Sequence, residues 1–321
     1  MDRRRVAFFI PGRGCGRRCV YCDQLAITTD AGGGESVTPG AVRETVAAMT
    51  GPVELCFFGG SFARVERAAF VAFLDAIRAA RPGSAVTFSS YPGDFDGEYG
   101  RQTAQILKRY PIGTIELGIP SLDPNVLKMC GRDDDPEKIK RAVVFLRDLG
   151  FRLGIQMMIG LPGQSAGGAM RDVETLAALM PETISWDFRL YPCLVLRGTE
   201  LEAMWARGAY RPLGLDEAAR LSGVLLLAAE KLGFNVIRVG LIDSESLKKS
   251  VAAGPYHPAF GELAMSEKLA LEMFSKNPRG PWEIGQRNIS LLTGHGGRGI
   301  KRLAELGGMT PEEAMSAVCR I

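Results

Sequence analysis

Short apolar runs alternate along most of the chain with longer segments in which apolar positions recur every three or four residues. The runs 5–10 (RVAFFI), 53–58 (VELCFF), 85–90 (AVTFSS), 113–119 (GTIELGI), 152–159 (RLGIQMMI) and 183–190 (TISWDFRL) have the length and composition of strands. Between them, 40–50, 66–81, 98–110, 124–130, 136–149 and 167–180 carry a helical period. Six strand-then-helix beats predict parallel strands joined by helical crossovers, hence a barrel or a doubly wound sheet. The strands look apolar without clean alternation, which predicts helices on one sheet face and packed side chains on the other. A further helix over 215–232 leads into FNVIRVGL (234–241). Glycine- and proline-rich stretches and a last amphipathic helix near 310–319 follow. Residues 1–197 are therefore read as the barrel and 198–321 as a C-terminal α/β extension packing on it.

A length of 321 residues with 46% hydrophobic residues suits one large domain, or one domain with an appendage. No run reaches eighteen apolar residues, and no long apolar segment follows the charged N-terminus. Neither a membrane span nor a signal peptide is expected. The expected compartment is the cytoplasm, where clustered cysteines hold metal more often than they form disulfides. The net charge of +3 says little, but residues 1–22 carry six arginines against Asp2, and 276–302 carry six Lys/Arg against Glu283. Such runs are either solvated surface or a grip on a phosphate-bearing partner.

The stretch GRGCGRRCVYCDQ (12–24) sets Cys15, Cys19 and Cys22 close together. The other cysteines, at 56, 130, 193 and 319, are single, and histidine occurs only at 257 and 295. A structural zinc site wants four closed ligands, and ferredoxin-type clusters want four cysteines. On spacing alone, zinc and an incidental group of thiols stay open beside the reading that suits three ligands, a [4Fe–4S] cluster with one iron open.

A CxxxCxxC loop after a first strand, with aromatic Tyr21 before the third cysteine, resembles the signature of radical S-adenosylmethionine (SAM) enzymes. The turn Gly59-Gly60-Ser61-Phe62 after the second strand agrees, since glycine permits a close backbone approach. "IELGIPSLDPNVLKMCGR" (115–132) and "GIQMMIGLPGQ" (154–164) resemble the branch containing oxygen-independent coproporphyrinogen oxidase and the Elongator catalytic subunit. "LYPCLVLRGTEL" (190–201) and "AGPYHPAFGEL" (253–263) resemble short bacterial Elongator-like proteins. The resemblance implies a partial, TIM-like (β/α)6 barrel. About 80 residues follow FNVIRVGL, so no acetyltransferase domain like that of full Elongator subunits is expected after it.

It further implies that Cys15, Cys19 and Cys22 hold a [4Fe–4S] cluster whose open iron is chelated by SAM. Tyr21 would contact SAM, the Gly59, Gly60 and Ser61 turn would lie along its methionine part, and Arg132 would meet its carboxylate. Gln156 would reach the ribose, and Gly160, Leu161 and Pro162 would back the adenine. A flavodoxin or ferredoxin would supply one electron, and SAM would be cleaved to methionine and a 5′-deoxyadenosyl radical. The implied substrate is RNA, a tRNA base in particular. A small metabolite or peptide substrate is the alternative, and a cluster-containing RNA-binding or regulatory protein is a second.

Three positions depart from the branch pattern. Pro120 stands where a glutamine is usual, Asp134 where a histidine is usual, and Ser89-Ser90-Tyr91-Pro92 replaces an STRP-like phrase. On the substrate side, His257 and Glu262 are candidates for an acid–base pair at the barrel mouth, against a loop histidine bonding backbone. Cys193 is a candidate hydrogen donor, against a buried structural cysteine.

Overall fold

The computed structural model describes residues 3–16, 18–28, 37–132 and 135–321; Arg17 and Asp134 lie outside the described residues. In chain order the first half runs β1 (Arg4–Phe9), α1 (Gln24–Thr28), α2 (Pro39–Ala47), β2 (Val53–Phe58), α3 (Arg67–Asp75), β3 (Ala85–Ser90), α4 (Gly97–Leu107), β4 (Ile112–Gly118), α5 (Pro124–Met129), α6 (Pro136–Asp148), β5 (Leu153–Ile159) and α7 (Ala166–Ala177). The rest runs β6 (Asp187–Pro192), β7 (Val195–Leu196), α8 (Glu200–Ala206), α9 (Leu215–Lys231), β8 (Asn235–Val239), α10 (Glu245–Ser250), β9 (Val251–Ala253), α11 (Phe260–Lys276), β10 (Trp282–Ile284), α12 (Ile289–Gly307), α13 (Pro311–Ser316) and β11 (Val318–Arg320). Helix starts follow the local chemistry. Thr38, Asp123 and Asp135 each cap a helix whose first residue is proline, and Ser165 caps α7.

The main sheet has the order β1-β2-β3-β4-β5-β6-β8, and its pairs are parallel. It has one strand more than the six beats predicted. The seventh comes from FNVIRVGL, beyond residue 197, because β8 hydrogen-bonds alongside β6. Edge strands β1 and β8 do not pair with each other, so the sheet stays open.

The register makes the expected packed interior a polar one. Alternate residues such as Leu55, Phe57, Phe88, Ile115, Leu153, Ile155 and Phe188 enter the main core with helix residues including Phe70, Phe73, Val143 and Leu225. The intervening positions, Arg5, Glu54, Cys56, Thr87, Glu116, Gln156 and Arg189, point to the other face. They form a polar network there. Glu116 is buried and accepts from the Arg189 guanidinium at 2.6 Å and from Gln156 Nε2 at 2.7 Å. Thr87 donates to Glu54 at 2.7 Å. The alternation is hard to read in sequence because Cys56, Gly154 and Met158 fill inner positions with residues that count as apolar or neutral.

The C-terminal part is tied to the barrel by helices. Helix α11 packs on α9 so closely that a Cβ on Gly223 would lie 2.6 Å from Glu267 Cβ. Glu267, itself buried, is held by Arg298 at 2.9 Å and Arg302 at 3.2 Å from α12. A second core with Met273, Trp282, Leu292, Leu303 and Ala314 joins α11, α12, α13 and the two-stranded sheet of β10 and β11.

Candidate functional site

The loops after β1 and β2 meet beyond the C-terminal ends of these strands, where parallel barrels assemble their sites. Their backbones are laced together. Ile10 N donates to Phe58 O at 2.8 Å, Gly12 N to Gly59 O at 2.9 Å, and Ser61 N to Arg13 O at 2.9 Å. This approach demands glycine. A Cβ on Gly14, whose φ is +76°, would lie 2.0 Å from Ser61 O, and one on Gly60 would lie 2.3 Å from Arg13 O. Phe62 anchors the turn from below, stacked on Phe57 at 4.4 Å between ring centres.

The loop carries Cys15 exposed and Cys19 and Cys22 half-buried. The Cys22 thiol is pushed up to about 12 by burial first, then by the neighbouring thiols of Cys19 and Cys15. Cys15 is raised by the same two causes, burial and Cys19. Metal binding at these thiols would release their protons. Donors already face the sulfurs: Gln24 Nε2 lies 3.4 Å from Cys22 Sγ, and Arg132 Nη1 lies 3.9 Å from Cys19 Sγ. Among the described residues, no three Cys, His, Asp or Glu groups converge as a single metal ion would require. The three-thiol loop and its donors thus fit a [4Fe–4S] cluster.

Arg132 connects the parts. Its Nη2 donates to Gly118 O at 3.0 Å, and its guanidinium lies 4.7 Å over the Tyr91 ring. It also hydrogen-bonds to Tyr21. Tyr91, in the phrase that departs from the branch pattern, is thus the platform for Arg132. Ser61 Oγ donates to the buried Asp94 carboxylate and accepts from Tyr91 N at 2.8 Å.

Asp94, which the sequence reading passed over, is pushed up to about 7 by burial, against the opposing pull of Ser61, Arg64 and Arg132. Its ordinary value is 3.8, so between about pH 4 and about pH 7 the folded chain binds the extra proton. The Asp94 contribution to stability accordingly falls as pH rises through that window. Asp94→Asn should flatten this part of the stability–pH curve of the metal-free chain, read as denaturation midpoints. An unchanged slope would count against the assignment.

The other predicted positions are placed as follows. Gln156 faces the open side of the sheet but is held by Glu116. Gly160 O accepts from Tyr210 at 2.6 Å, Leu161 is buried beside Val126 and Cys130, and Pro162 is buried. Pro120 is buried and its carbonyl accepts from Met158 N at 3.2 Å, binding β5. Cys193 is 1% exposed in the same apolar group as Leu161, and burial pushes its thiol up to about 12.

The His257–Glu262 pair is corrected. Glu262 meets His295 Nε2 at 2.8 Å instead, while His257 Nδ1 accepts from Ala259 N at 3.0 Å. The reason lies in the backbone: His295, Gly296 and Gly297 all adopt positive φ inside α12 and turn His295 back toward α11. The two histidine rings then stand edge to face at 5.8 Å. Arg3, Arg4 and Arg5 lie at the start of β1, about 20 Å of strand from Arg13 and Arg18. Arg298 and Arg302 turn inward onto Glu267, which leaves Lys276, Arg279, Arg287 and Lys301 exposed.

The profile of the Radical SAM superfamily matches residues 9–176. The chain belongs to the radical SAM superfamily. The Radical_SAM C-terminal domain matches residues 186–270 of this radical SAM enzyme. Its cofactors are the [4Fe–4S] cluster and SAM. It is 35% identical over 107 residues to the tRNA uridine(34) acetyltransferase of Methanocaldococcus infernus, covering 32% of this chain and 19% of that protein. It is 28% identical over 185 residues to the heme chaperone HemW of Escherichia coli, covering 54% and 47% respectively. These matches span well under two thirds of the relatives' own length. Among solved structures, the M. infernus Elp3 with an N-terminal deletion superposes with a TM-score of 0.59 at 20% identity, covering 86% of this chain and 64% of that one. Streptococcus suis SuiB bound to S-adenosylmethionine gives 0.51 at 13% identity, with 74% and 47% covered. These likenesses agree with the open parallel half-barrel described above.

Proposed function

We propose that this radical SAM enzyme modifies an RNA substrate, a tRNA base in particular. In this reading Cys15, Cys19 and Cys22 hold the cluster, and Gly59, Gly60, Ser61, Arg132, Gln156 and the Gly160–Pro162 turn receive SAM. The observation that carries the substrate is the likeness to the tRNA uridine(34) acetyltransferases, which recurs at 32% identity over 136 residues in Methanocaldococcus jannaschii. When bound, the cluster supplies reductive cleavage of SAM. The chain's residues do the positioning. Arg132 offers a planar pair of donors matched to a carboxylate. The interlocked glycine turns bring backbone close to a bound amino acid. Gln156, braced by Glu116, presents an amide from the strand next to Gly118. A flavodoxin or ferredoxin is the proposed electron donor and the cytoplasm the proposed compartment. Among the described residues no helix is long and apolar enough to cross a membrane.

The C-terminal part reaches the barrel mouth, since a Cβ on Gly240, just past β8, would touch Phe260 at 3.1 Å. Its exposed cations are the ones to test. Total tRNA should bind with an affinity that falls with salt, by about 0.7 log units per log unit of salt for each single-strand phosphate neutralised. Changing Arg287 and Lys301 to Ala should lower that slope while leaving the iron content unchanged. Absence of binding at low salt would remove RNA as the substrate.

A further inference from the structure

The β6–β8 side of the open face holds two guanidinium groups and too few acceptors for them. Arg189 and Arg238 are Cα partners on neighbouring strands, so both side chains leave the sheet on the same face. Arg189 is only 8% exposed, and one nitrogen is bound to Glu116 at 2.6 Å. Its Nε is buried with no acceptor among the described residues. The Phe58 ring lies 5.7 Å from its guanidinium carbon, and Tyr191 hydrogen-bonds beside it. Arg238 is half-buried, lies near enough to act on the Tyr191 phenol, and has no carboxylate partner among the described residues. Glu116 is shared with Gln156, and Arg5 approaches it at 3.6 Å, so it does not neutralise both arginines.

A buried donor without an acceptor costs stability unless something else satisfies it. Guanidinium groups set side by side match the paired oxygens of a carboxylate or phosphate. The place adjoins the one assigned to SAM: Arg189 is the Cα partner of Gln156 on β5, while the cysteine loop and the glycine turn follow β1 and β2.

We propose that Arg189, Arg238 and Tyr191 form an oxyanion receptor on the open face of the sheet, which takes a carboxylate or phosphate group of the reacting substrate. Glu116 links this receptor to Gln156, so substrate and SAM would be registered through one carboxylate. The proposal rests on the radical SAM reading only in taking this face as the substrate's side.

The test uses the cluster-loaded protein with SAM present. Inorganic phosphate, acetate and neutral acetamide are titrated by calorimetry into wild type, Arg238→Gln and Tyr191→Phe. Saturable binding of phosphate or acetate, but not acetamide, is expected, and the tighter of the two anions identifies the group. Arg238→Gln should weaken it by about tenfold or more, as loss of a charge-assisted contact does. Tyr191→Phe, which keeps the ring, should weaken it by a smaller factor and serves should Arg238→Gln fail to fold. Absence of anion binding, or equal affinity in wild type and variants, overturns the receptor. SAM affinity measured in the same preparations separates the two readings: its absence in wild type sinks the SAM site, whatever the anions do.

Discussion

Replacing any one of Cys15, Cys19 or Cys22 with alanine should abolish the iron–sulfur cluster, whereas Cys56→Ala and Cys319→Ala should leave it in place. The expectation follows from where the sulfurs sit. The three lie on one loop, pinned to the Gly59-Gly60-Ser61 turn by paired backbone hydrogen bonds. Cys56 is buried in the middle of β2, and Cys319 is exposed on β11. A cluster held by three thiolates has none to spare, because Cys130 and Cys193 are fully buried in an apolar group. Iron and acid-labile sulfide after anaerobic reconstitution are the measurement. Wild-type iron content in any of the three variants, or stoichiometric zinc in place of iron, would refute the assignment.

Arg132→Ala should weaken SAM binding by about 1.5–3 kcal/mol, or roughly tenfold to a hundredfold and more, the range for a lost charge-assisted hydrogen bond. The guanidinium is held on Gly118 O, over Tyr91 and beside Cys19, so its direction is set before any ligand arrives. Arg132→Lys should recover only part of the loss, because an ammonium keeps the charge but not the fork. The comparison is equilibrium SAM binding in cluster-loaded wild type and both variants at equal iron content. Unchanged affinity in Arg132→Ala would take this residue out of the site.

The predicted strands 53–58 and 85–90 agree with β2 and β3 to the residue, because each is a short apolar run bounded by turn residues. The last predicted beat, 183–190, starts early against β6 at Asp187–Pro192, since Ile184 and Trp186 extend the apolar run into the connecting turn. FNVIRVGL was legible as an apolar run, but not as the seventh strand of the main sheet. That depends on pairing with β6 at long sequence separation, which local periodicity does not encode.

The site divides in the same way. Cys15, Cys19, Cys22 and the Gly59-Gly60 turn were legible because cluster chemistry and close backbone contact each demand particular residues at short spacing. Asp94, Glu116 and Arg189 were not, although Glu116 inside the apolar run GTIELGI is the kind of buried charge that asks for a partner. Their partners are remote in sequence, Asp94 with Ser61 and Glu116 with Gln156 and Arg189, and only the parallel register sets them side by side. The pairing of Glu262 with His295 rather than His257 likewise turns on three left-handed residues in α12. By itself, then, the sequence determined the alternating α/β order, the cysteine loop and the glycine turn, each set by contacts between near neighbours. Tertiary structure alone decided which charges face the open side of the sheet and what each one meets, because those contacts form only when strands distant in sequence come into register.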